Sequence, residues 1–446
     1  MTSKRISIVG LGYVGLCTSI GFACNGFSVI VVDKDQEKIN SVTKGIPPFH
    51  EPDLEKLLKK TINNGSLKGT LDTEKAILDS DVTFITVGTP SNDDGSINLS
   101  QIKSCATEIG MALRQKTEYH VIVVKSTVVP GTTSNIVKVL LEKYSQKKCG
   151  SDFGLCMNPE FLREGSAIYD TLNPDRIVIG EYNKKSGDII YSIYKEQFGE
   201  NIPIIRTNIP TAELIKYANN AFLATKISYI NTIANICERI PDTDVTVVSK
   251  GIGLDQRINP QFLRAGIGYG GSCFPKDVSA LIAFSKQVGY LPILLKNVHE
   301  INDNQAKHII EILKKKLQSI LRKKIAILGL AFKPDTDDMR EARSIPIINY
   351  LLNEGAKVIA YDPVAHLSAN SIFGEKIEYA DSAINCIKDA DCCILVTEWN
   401  EFKQLKPKDF KQNMKQPILI DGRRIYDPTK YRKMIQFEAI GLGPEN

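Results

Sequence analysis

The sequence comprises 446 residues, of which 43% are hydrophobic and 24% are charged, with a formal net charge of +5. Length and composition predict a globular protein of two or three domains. The charge is spread along the chain, and the one basic stretch, residues 314–324, is typical of the solvated face of a helix, so we expect no nucleic-acid binding. No stretch approaches 18 consecutive apolar residues, so we expect no membrane span.

The amino-terminal stretch MTSKRISIVG leads directly into an apolar strand and has no hydrophobic leader, which predicts a cytoplasmic protein. The ten cysteines contain no CxxC pair and no Cys/His set with zinc spacing, so neither a metal site nor a disulfide framework is expected. Most are predicted to be reduced and buried, and those in apolar strand or helix patterns are Cys17, Cys24, Cys105, Cys237, Cys392 and Cys393. Cys273 has no such apolar context.

A weak internal repeat predicts the fold class. The stretches KRISIVGLGYVG, SVIVVDKD and DSDVTFITVGTP recur as KKIAILGLAFKP, AKVIAYDP and DADCCILVTE. Apolar strands that alternate with helices in this way predict parallel sheets covered on both faces. We therefore expect an α/β protein with one doubly wound, Rossmann-like domain at each end and a central helical domain between them.

The first glycine motif predicts a dinucleotide site. GLGYVG places Gly10, Gly12 and Gly15 in GxGxxG spacing directly after a strand, where the glycines allow a tight turn and close approach of a pyrophosphate. Asp33 ends the next strand, where an acceptor for a ribose 2′-hydroxyl is expected. Its charge favours NAD over NADP, although Lys34 and Lys38 nearby weaken that preference. The corresponding GLAFKP stretch is glycine-poor and basic, which suits a different phosphate ligand.

Three further stretches are candidates for one chemical site. KSTVVPG (125–131) ends a strand of the first domain, and NPEFLREGSA (158–167) carries Glu160 and Glu164 outside any periodic pattern. On a predicted helix that covers residues 211–240, Lys216 and Asn220 are four residues apart and share a face. Each has an ordinary alternative: Lys216 as a surface lysine, and the two glutamates as solvated or capping groups.

One long helix, residues 211–240, is predicted from apolar residues that follow the 3.6-residue period between Pro210 and Pro241. It is apolar on more than one face, which suits packing against several neighbours, including a second subunit. We predict domains at 1–206, 207–303 and 304–446, with a linker helix at about 304–321 opening the last of them.

The stretch GIGYGGSCFPKD (266–277) holds a cysteine in a glycine-rich loop that offers little apolar packing. With Lys276 and Asp277 close by, Cys273 suits a thiolate stabilised by a neighbouring cation. Asp277 has a simpler alternative role as the N-cap of the helix that begins after it.

Together, GLGYVG, NPEFLREGSAI, ELIKYANNAFLA, GYGGSCFPKD and GLAFKPDTDDMRE resemble, in this order, the nucleotide-sugar 6-dehydrogenase family. The resemblance covers essentially the whole chain. It implies the oxidation of UDP-glucose by two NAD⁺ and water to UDP-glucuronate, which supplies polysaccharide synthesis. In this chemistry Cys273 matches the nucleophile that captures the aldehyde as a thiohemiacetal, which a second oxidation converts to a thioester.

The resemblance also assigns the remaining catalytic roles. Lys216 matches a lysine that stabilises oxyanions, with Asn220 as its helper. Asp277 matches a carboxylate that assists proton removal through a water molecule. Glu160, with Thr127, matches the group that positions or activates water for thioester hydrolysis.

Binding residues follow from the same matches. The expected NAD contacts are Gly10, Gly12, Tyr13, Val14, Gly15, Asp33, Lys38, Thr89, Pro90, Ser126, Thr127, Glu164, Cys273 and Arg340. The expected sugar-nucleotide contacts are Glu160, Phe161, Leu162, Arg163, Glu164, Lys216, Asn220, Arg257, Phe262, Arg264, Gly266, Gly268, Tyr269, Gly270, Phe332, Lys333 and Arg423. Arg257 matches an arginine that reaches the substrate of a neighbouring subunit, which implies a homodimer or a higher homo-oligomer.

Other functions stay open at the level of sequence. GDP-mannose and UDP-N-acetylmannosamine 6-dehydrogenases share the chemistry, although PDRIVIG (174–180) favours the UDP-glucose enzyme. A two-electron hydroxyacid dehydrogenase would need neither Cys273 nor the C-terminal phosphate domain. A catalytically silent NAD-binding sensor would not need the set of Cys273, Lys216, Asn220 and Asp277.

Overall fold

Two sheets of mostly parallel strands form the framework of the protein, for which the computed structural model describes residues 4–445. The chain divides between Asn219 and Asn220 into two units, each with its own sheet. Both sheets are covered by helices from the βα crossovers, as the near-continuous apolar strands require. The predicted fold class is confirmed.

The described part of the first unit contains an eight-stranded sheet in the order β3-β2-β1-β4-β5-β6-β7-β8. Its strands are β1 Arg5–Val9, β2 Ser28–Val32, β3 Leu67–Thr70, β4 Val82–Ile85, β5 His120–Val124, β6 Phe153–Met157, β7 Ile177–Glu181 and β8 Ile204–Asn208. Its helices are α1 Tyr13–Cys24, α2 Gln36–Thr43, α3 Leu54–Asn63, α4 Thr73–Leu78, α5 Ser100–Gln115, α6 Lys138–Ser145, α7 Ala167–Leu172 and α8 Lys184–Phe198, and a π-helical turn, Thr133–Val137, precedes α6.

The first six strands have the order of a dinucleotide-binding fold, whose strand order reverses between β1 and β4. One pairing departs from the parallel prediction, because β7 runs antiparallel to β6. The connection between these two strands holds only the six-residue helix α7 and the loop that carries Glu160. It therefore returns the chain along the same edge instead of crossing the face of the sheet.

The described part of the second unit contains a six-stranded parallel sheet in the order β11-β10-β9-β12-β13-β14. Its strands are β9 Lys324–Leu328, β10 Lys357–Tyr361, β11 Glu378–Tyr379, β12 Cys392–Leu395, β13 Ile418–Asp421 and β14 Gln436–Ala439. Helix α9, Ile209–Cys237, enters this unit from the first, and the others are α10 Val245–Gly253, α11 Phe274–Gln287, α12 Ile293–Lys316, α13 Ser344–Asn353, α14 His366–Phe373, α15 Ala383–Ile387, α16 Pro407–Asn413 and α17 Pro428–Tyr431, with 3₁₀ turns at Gly374–Lys376 and Phe402–Gln404.

Two helices differ in length from the sequence prediction. Helix α9 begins two residues before residue 211, with Pro210 in its first turn, where proline is tolerated. Helix α12 begins at Ile293, well before the predicted linker at residue 304. Residues from α9, α12 and the second sheet, including Ile230, Ile309 and Ile327, share one buried core. The predicted central stretch 207–303 is therefore divided between the two units, and the three-domain division stays a prediction.

Across residues 4–445, no helix is both long and apolar enough to cross a membrane.

A half-buried histidine links helix α12 to the residues that follow α9. His308 contacts Glu238 through Nε2 and Glu311 through Nδ1, and Glu238 also accepts a hydrogen bond from Gly441 N at 2.7 Å. The hydrogen bond to Glu238 raises the pKa of His308, and burial only partly opposes it. The charged histidine therefore stabilises the folded unit.

Because the folded pKa of His308 is raised, its contribution to stability is complete below the unfolded pKa and is lost as pH rises through the folded pKa. We expect His308→Gln to lower the free energy of unfolding by about 1.5 kcal/mol at pH 6 and by clearly less at pH 9. Urea unfolding at both pH values measures the difference, with His366→Gln as the control. A cost that is the same at both pH values would contradict a charged His308.

Candidate active site

The glycine loop between β1 and α1 has the geometry of a dinucleotide site. Gly10 has φ +107°, and a Cβ there would lie 2.9 Å from Val87 N. A Cβ on Gly15 would lie 1.8 Å from Gly10 O, so only glycine lets α1 pack this closely against the turn. At Gly12, the N-cap of α1, an added Cβ would have no described protein atom within 4 Å.

These observations fit NAD. Among the described residues, no side chain caps the N-terminus of α1 and no acidic residue lies in its first turn. The backbone N–H groups of that turn suit a pyrophosphate. Asp33 follows β2, and its carboxylate accepts hydrogen bonds from Leu11 N (2.7 Å) and Asp35 N (3.0 Å). A carboxylate has about four acceptor sites, so this pairing leaves capacity for a ribose hydroxyl.

Other predicted NAD residues of the first unit lie on α1 and α2 and in the loops that follow β4 and β5. Thr89 Oγ1 donates to Thr127 O (2.9 Å), and Ser126 Oγ donates to Val87 O (2.7 Å), so the loops after β4 and β5 are joined. Tyr13 stacks on Phe49, with ring centroids 3.9 Å apart. Val14 and Lys38 are half-buried on α1 and α2, whereas Pro90 is exposed.

A buried ion pair lies at the loop after β6. Lys216 Nζ is 2.8 Å from Glu160 Oε1, and these side chains are only 4% and 7% exposed. Glu160 Oε2 also accepts a hydrogen bond from Leu162 N at 2.6 Å. Burial raises the pKa of Glu160, but the charge and hydrogen bond of Lys216, together with Lys125, lower it below its ordinary value. The alternatives that Lys216 is a surface lysine and that Glu160 is a solvated carboxylate are therefore both wrong.

Lys125 supplies a second buried cation near this pair. Its amine donates to Asn158 Oδ1 at 2.9 Å, and burial lowers its pKa to about 8, against the attraction of Glu160. Lys125, Asn158 and Glu160 share the wall of a cavity of about 90 Å³ in the first unit. The low pKa of Glu160 thus has two cationic sources.

Neighbouring residues of the same loop are also anchored. Arg163 pairs with Asp170 (2.6 Å), and the guanidinium of Arg176 lies 3.8 Å from the centroid of the Phe161 ring. Glu51, 5% exposed, accepts hydrogen bonds from Gly165 N and Ala167 N, both at 2.7 Å. These contacts therefore hold the backbone of the loop around Leu162 and Glu164, whose side chains are half-buried.

Two carboxylates that were not predicted from the sequence hold loops of the first unit. Glu51 lies more than 100 residues from the backbone that it binds, and no local pattern marks it. Glu213 on α9 accepts hydrogen bonds from Gly131 N (2.6 Å) and Thr133 N (2.8 Å), and burial raises its pKa to about 7. Its signal was visible in the sequence as an acidic residue within the apolar helix pattern.

In the second unit, Cys273 is the N-cap residue of α11, and its side chain is half-buried. Its Sγ lies 3.5 Å from Ser272 Oγ. The positive end of a helix dipole favours an anion, so this position suits a thiolate. Lys276 Nζ contacts Asp277 Oδ1 at 2.5 Å, so the cation predicted to stabilise the thiolate is already paired with a carboxylate.

Asp277 is not the N-cap of α11, because the helix begins at Phe274 with Pro275 in its first turn. Proline is tolerated in the first turn of a helix, so Pro275 is compatible with a start earlier than predicted. The buried Asp277 carboxylate accepts a hydrogen bond from Asn220 Nδ2 at 2.7 Å. The structure thus joins two of the predicted catalytic residues directly.

The remaining predicted residues of the second unit differ in burial and in their partners. Arg340 pairs with Asp338 (2.5 Å), and Arg423 donates to Val396 O (2.6 Å) and Gly268 O (3.1 Å). Phe262, Phe332 and Lys333 are half-buried, Arg264 is exposed, and Gly266, Gly268, Tyr269 and Gly270 are buried. Arg257 is exposed and pairs with Asp255 in its own chain at 2.6 Å.

The first strand of the second sheet is followed by a glycine turn like that of the first sheet, but the aspartate nearby is not available to accept a hydrogen bond from a ribose. Gly329 has φ +95°, as Gly10 has +107°, and Asp362 follows β10 as Asp33 follows β2. Asp362, however, accepts hydrogen bonds from four backbone N–H groups and from Trp399 Nε1. Its acceptor capacity is consumed within the unit, which agrees with a ligand other than a second NAD.

Of the cysteines predicted to be core residues, Cys24 is half-buried and the rest are buried. Burial raises the pKa of Cys149 and Cys156 to about 12, so these thiols stay protonated.

Comparison with known proteins agrees with this geometry. Three profiles of the UDP-glucose/GDP-mannose dehydrogenase family match the chain: the NAD binding domain at residues 4–198, the central domain at 210–304 and the UDP binding domain at 326–428. The predicted cofactor, NAD, is confirmed, and the chain is an NAD-dependent dehydrogenase.

Two curated relatives and one solved structure extend along nearly the whole chain. UDP-glucose 6-dehydrogenase TuaD of Bacillus subtilis is 44% identical over 95% of this chain and 90% of its own length. UDP-glucose 6-dehydrogenase AglM of Haloferax volcanii is 44% identical over 98% of this chain and 100% of its own. A UDP-glucose dehydrogenase structure from Pyrobaculum islandicum is 34% identical, covers 99% of this chain and 98% of its own, and has a TM-score of 0.92. The chain therefore belongs to the UDP-glucose/GDP-mannose dehydrogenase family.

Proposed function

We propose that this protein oxidises UDP-glucose to UDP-glucuronate, in the reaction UDP-glucose + 2 NAD⁺ + H₂O → UDP-glucuronate + 2 NADH. The observation that carries the proposal is Cys273 at the N-terminus of α11, four residues before an Asp277 that is bound to Asn220. A two-electron alcohol dehydrogenase needs no such nucleophile. Curated relatives with 44% identity are named for this activity.

The cysteine solves a chemical problem in the second oxidation. NAD⁺ bound at the glycine turn would supply the hydride acceptor for each oxidation. An aldehyde carbon bears no hydroxyl oxygen from which electrons can assist hydride departure. Addition of the Cys273 thiolate forms a C–S bond, and the oxygen takes up a proton to give a thiohemiacetal. Loss of hydride and of that proton then leaves a thioester on Cys273.

Hydrolysis completes the reaction. Water adds to the thioester carbonyl, the C–S bond breaks, and the carboxylic acid leaves while the thiolate is restored. We assign Glu160 and Thr127 to the positioning or activation of this water, because the low pKa of Glu160 keeps it an acceptor at neutral pH. Lys216 stabilises the oxyanions, Asn220 orients Asp277, and Asp277 assists proton removal from the alcohol through water.

We assign the nucleotide sugar to the loop at Gly266–Gly270 and to Phe332, Lys333 and Arg423. A UDP pyrophosphate requires cations and backbone donors, which these residues carry. We assign NAD⁺ binding to the glycine turn of the first unit and to Asp33. The product is an activated uronic acid, so the reaction that follows transfers the uronate to an acceptor, as in polysaccharide synthesis.

We infer that the protein acts in the cytoplasm as a homodimer or larger homo-oligomer. Large apolar side chains on and after α9, such as Phe222 (64%), Tyr229 (52%) and Val247 (68%), are exposed in the single chain. Burial of these side chains in an interface between subunits would favour association. Arg257, 88% exposed at its side chain, is assigned to the substrate of the partner subunit. Sedimentation of one species with the mass of a single chain would exclude this assembly.

The substrate and stoichiometry are tested together. UDP-glucose, GDP-mannose and UDP-N-acetylmannosamine are each supplied in limiting amount with excess NAD⁺, and NADH is followed by absorbance. We expect two NADH per UDP-glucose and at least about tenfold lower turnover with NADP⁺, because Asp33 repels a 2′-phosphate. One NADH per sugar would exclude the four-electron reaction. Turnover of GDP-mannose alone would reassign the substrate, and no turnover with any sugar would favour a silent NAD-binding protein.

A further inference from the structure

Three buried side-chain amides hold the loop that leads to Cys273. They are Asn231 on α9 and Asn302 and Gln305 on α12, with exposures of 0%, 1% and 1%. We refer to these three residues as the amide clamp. None of them is among the site residues predicted from the sequence.

The clamp satisfies both backbone groups of Gly266. Gly266 N donates to Asn231 Oδ1 at 2.8 Å, and Gln305 Nε2 donates to Gly266 O at 2.9 Å. Gln305 is itself held, because its Oε1 accepts a hydrogen bond from Asn235 Nδ2 at 3.0 Å. The start of the loop is thereby fixed between two helices that lie far apart in sequence.

A single amide satisfies both backbone groups of Tyr269. Tyr269 N donates to Asn302 Oδ1 at 2.7 Å, and Asn302 Nδ2 donates to Tyr269 O at 3.1 Å. This is the pairing that a neighbouring strand would provide. Only a side chain that has both a donor and an acceptor can make this pair of hydrogen bonds. An aspartate has the same shape but would lose the donor.

Between and beyond these points the loop has little room to move. Gly268 has φ +91°, and a Cβ there would lie 2.7 Å from Asn302 Oδ1. Gly271 N donates to Arg340 O at 2.9 Å, and a Cβ on Gly270 would lie 2.2 Å from Glu341 O. Cys273 follows two residues after Gly271, so its backbone position depends on this chain of contacts.

We propose that the amide clamp positions Cys273 for covalent capture of the aldehyde, an inference that rests on the proposed function. Its members are positioning residues, because they bind the loop backbone. Their location explains why buried amides occur where helices α9 and α12 otherwise contribute apolar side chains to the core. An apolar replacement would leave buried N–H and C=O groups of the loop unpaired.

The test compares Asn302→Asp with Asn304→Asp. Both variants make the same charge change on α12, but Asn304 is exposed and makes no contact with the loop among the hydrogen bonds of the described residues. Alkylation of Cys273 by iodoacetamide, followed by peptide mass spectrometry, reports the thiolate without need of substrate. We expect alkylation to slow at least about fivefold in Asn302→Asp, because a displaced thiolate loses the favourable end of the helix dipole.

With UDP-glucose, the same variant is expected to release aldehyde that hydroxylamine traps, so that NADH per sugar falls from two toward one. Asn304→Asp is expected to match the wild type in both assays. Alkylation and NADH stoichiometry at wild-type values in Asn302→Asp, or equal losses in both variants, would refute the proposal that the amide clamp positions Cys273. If Asn302→Asp does not fold, Gln305→Glu tests the same loss of a donor at Gly266 O while it keeps the acceptor for Asn235.

The outcomes separate this inference from the proposed function. A wild-type protein that is alkylated at Cys273 but does not oxidise UDP-glucose would refute the function. The alkylation comparison between Asn302→Asp and Asn304→Asp would still decide whether the clamp positions the thiolate.

Discussion

Cys273→Ser is expected to abolish formation of UDP-glucuronate, with a loss of roughly 10³-fold or more, while UDP-glucose affinity changes little. A serine hydroxyl stays protonated at neutral pH and is a poor nucleophile without a strong base, so the aldehyde is not captured. The position at the N-terminus of α11 favours a thiolate but does not ionise an alcohol. Product is measured by chromatography of the nucleotide sugars, and affinity by calorimetry.

Cys24→Ser is the matched control for this experiment. Cys24 is half-buried at the end of α1, outside the residues assigned to chemistry, so its replacement should leave two NADH per sugar. Glucuronate formation at the wild-type rate by Cys273→Ser would refute the covalent mechanism. An equal loss in both variants would point to a general effect on folding.

Lys216→Met is expected to destabilise the protein by about 3–5 kcal/mol and to lower turnover by at least about 10²-fold. The substitution leaves the buried Glu160 carboxylate without the ammonium 2.8 Å away. Lys125 remains as a weaker compensating charge, which places the stability loss toward the lower end of this range. Urea unfolding measures stability, and initial rates measure turnover.

The double variant Lys216→Met/Glu160→Gln separates the two effects of the lysine. It removes the unpaired charge, so we expect part of the stability to return while turnover stays low. Lys184→Met is the control, because the Lys184–Asp188 pair is exposed, and such a helical pair contributes only about 0.3–0.5 kcal/mol. A Lys216→Met variant as stable as Lys184→Met would contradict a buried ion pair.

Local patterns were sufficient where function depends on short-range geometry. The GxGxxG spacing predicted the turn at Gly10, because strand, turn and helix are adjacent in sequence and only glycine fits the backbone there. The same holds for the α/β class, which follows from apolar strands that alternate with helices. The start of α11 was predicted four residues late, because Asp277 is a residue type that suits an N-cap, whereas the helix begins at Phe274 with Pro275 in its first turn.

The partners of the site residues depend on tertiary structure. A lysine and a glutamate 56 residues apart, Lys216 and Glu160, have no local pattern that marks them as a buried pair. The same is true of Asn220 with Asp277 and of the amide clamp with Gly266 and Tyr269. By itself the sequence determined the fold class, the cofactor and the family, because these depend on local backbone geometry and on residue types in order. Only the tertiary structure decided which charges and amides are buried together, because burial and pairing arise when distant segments pack and lose water.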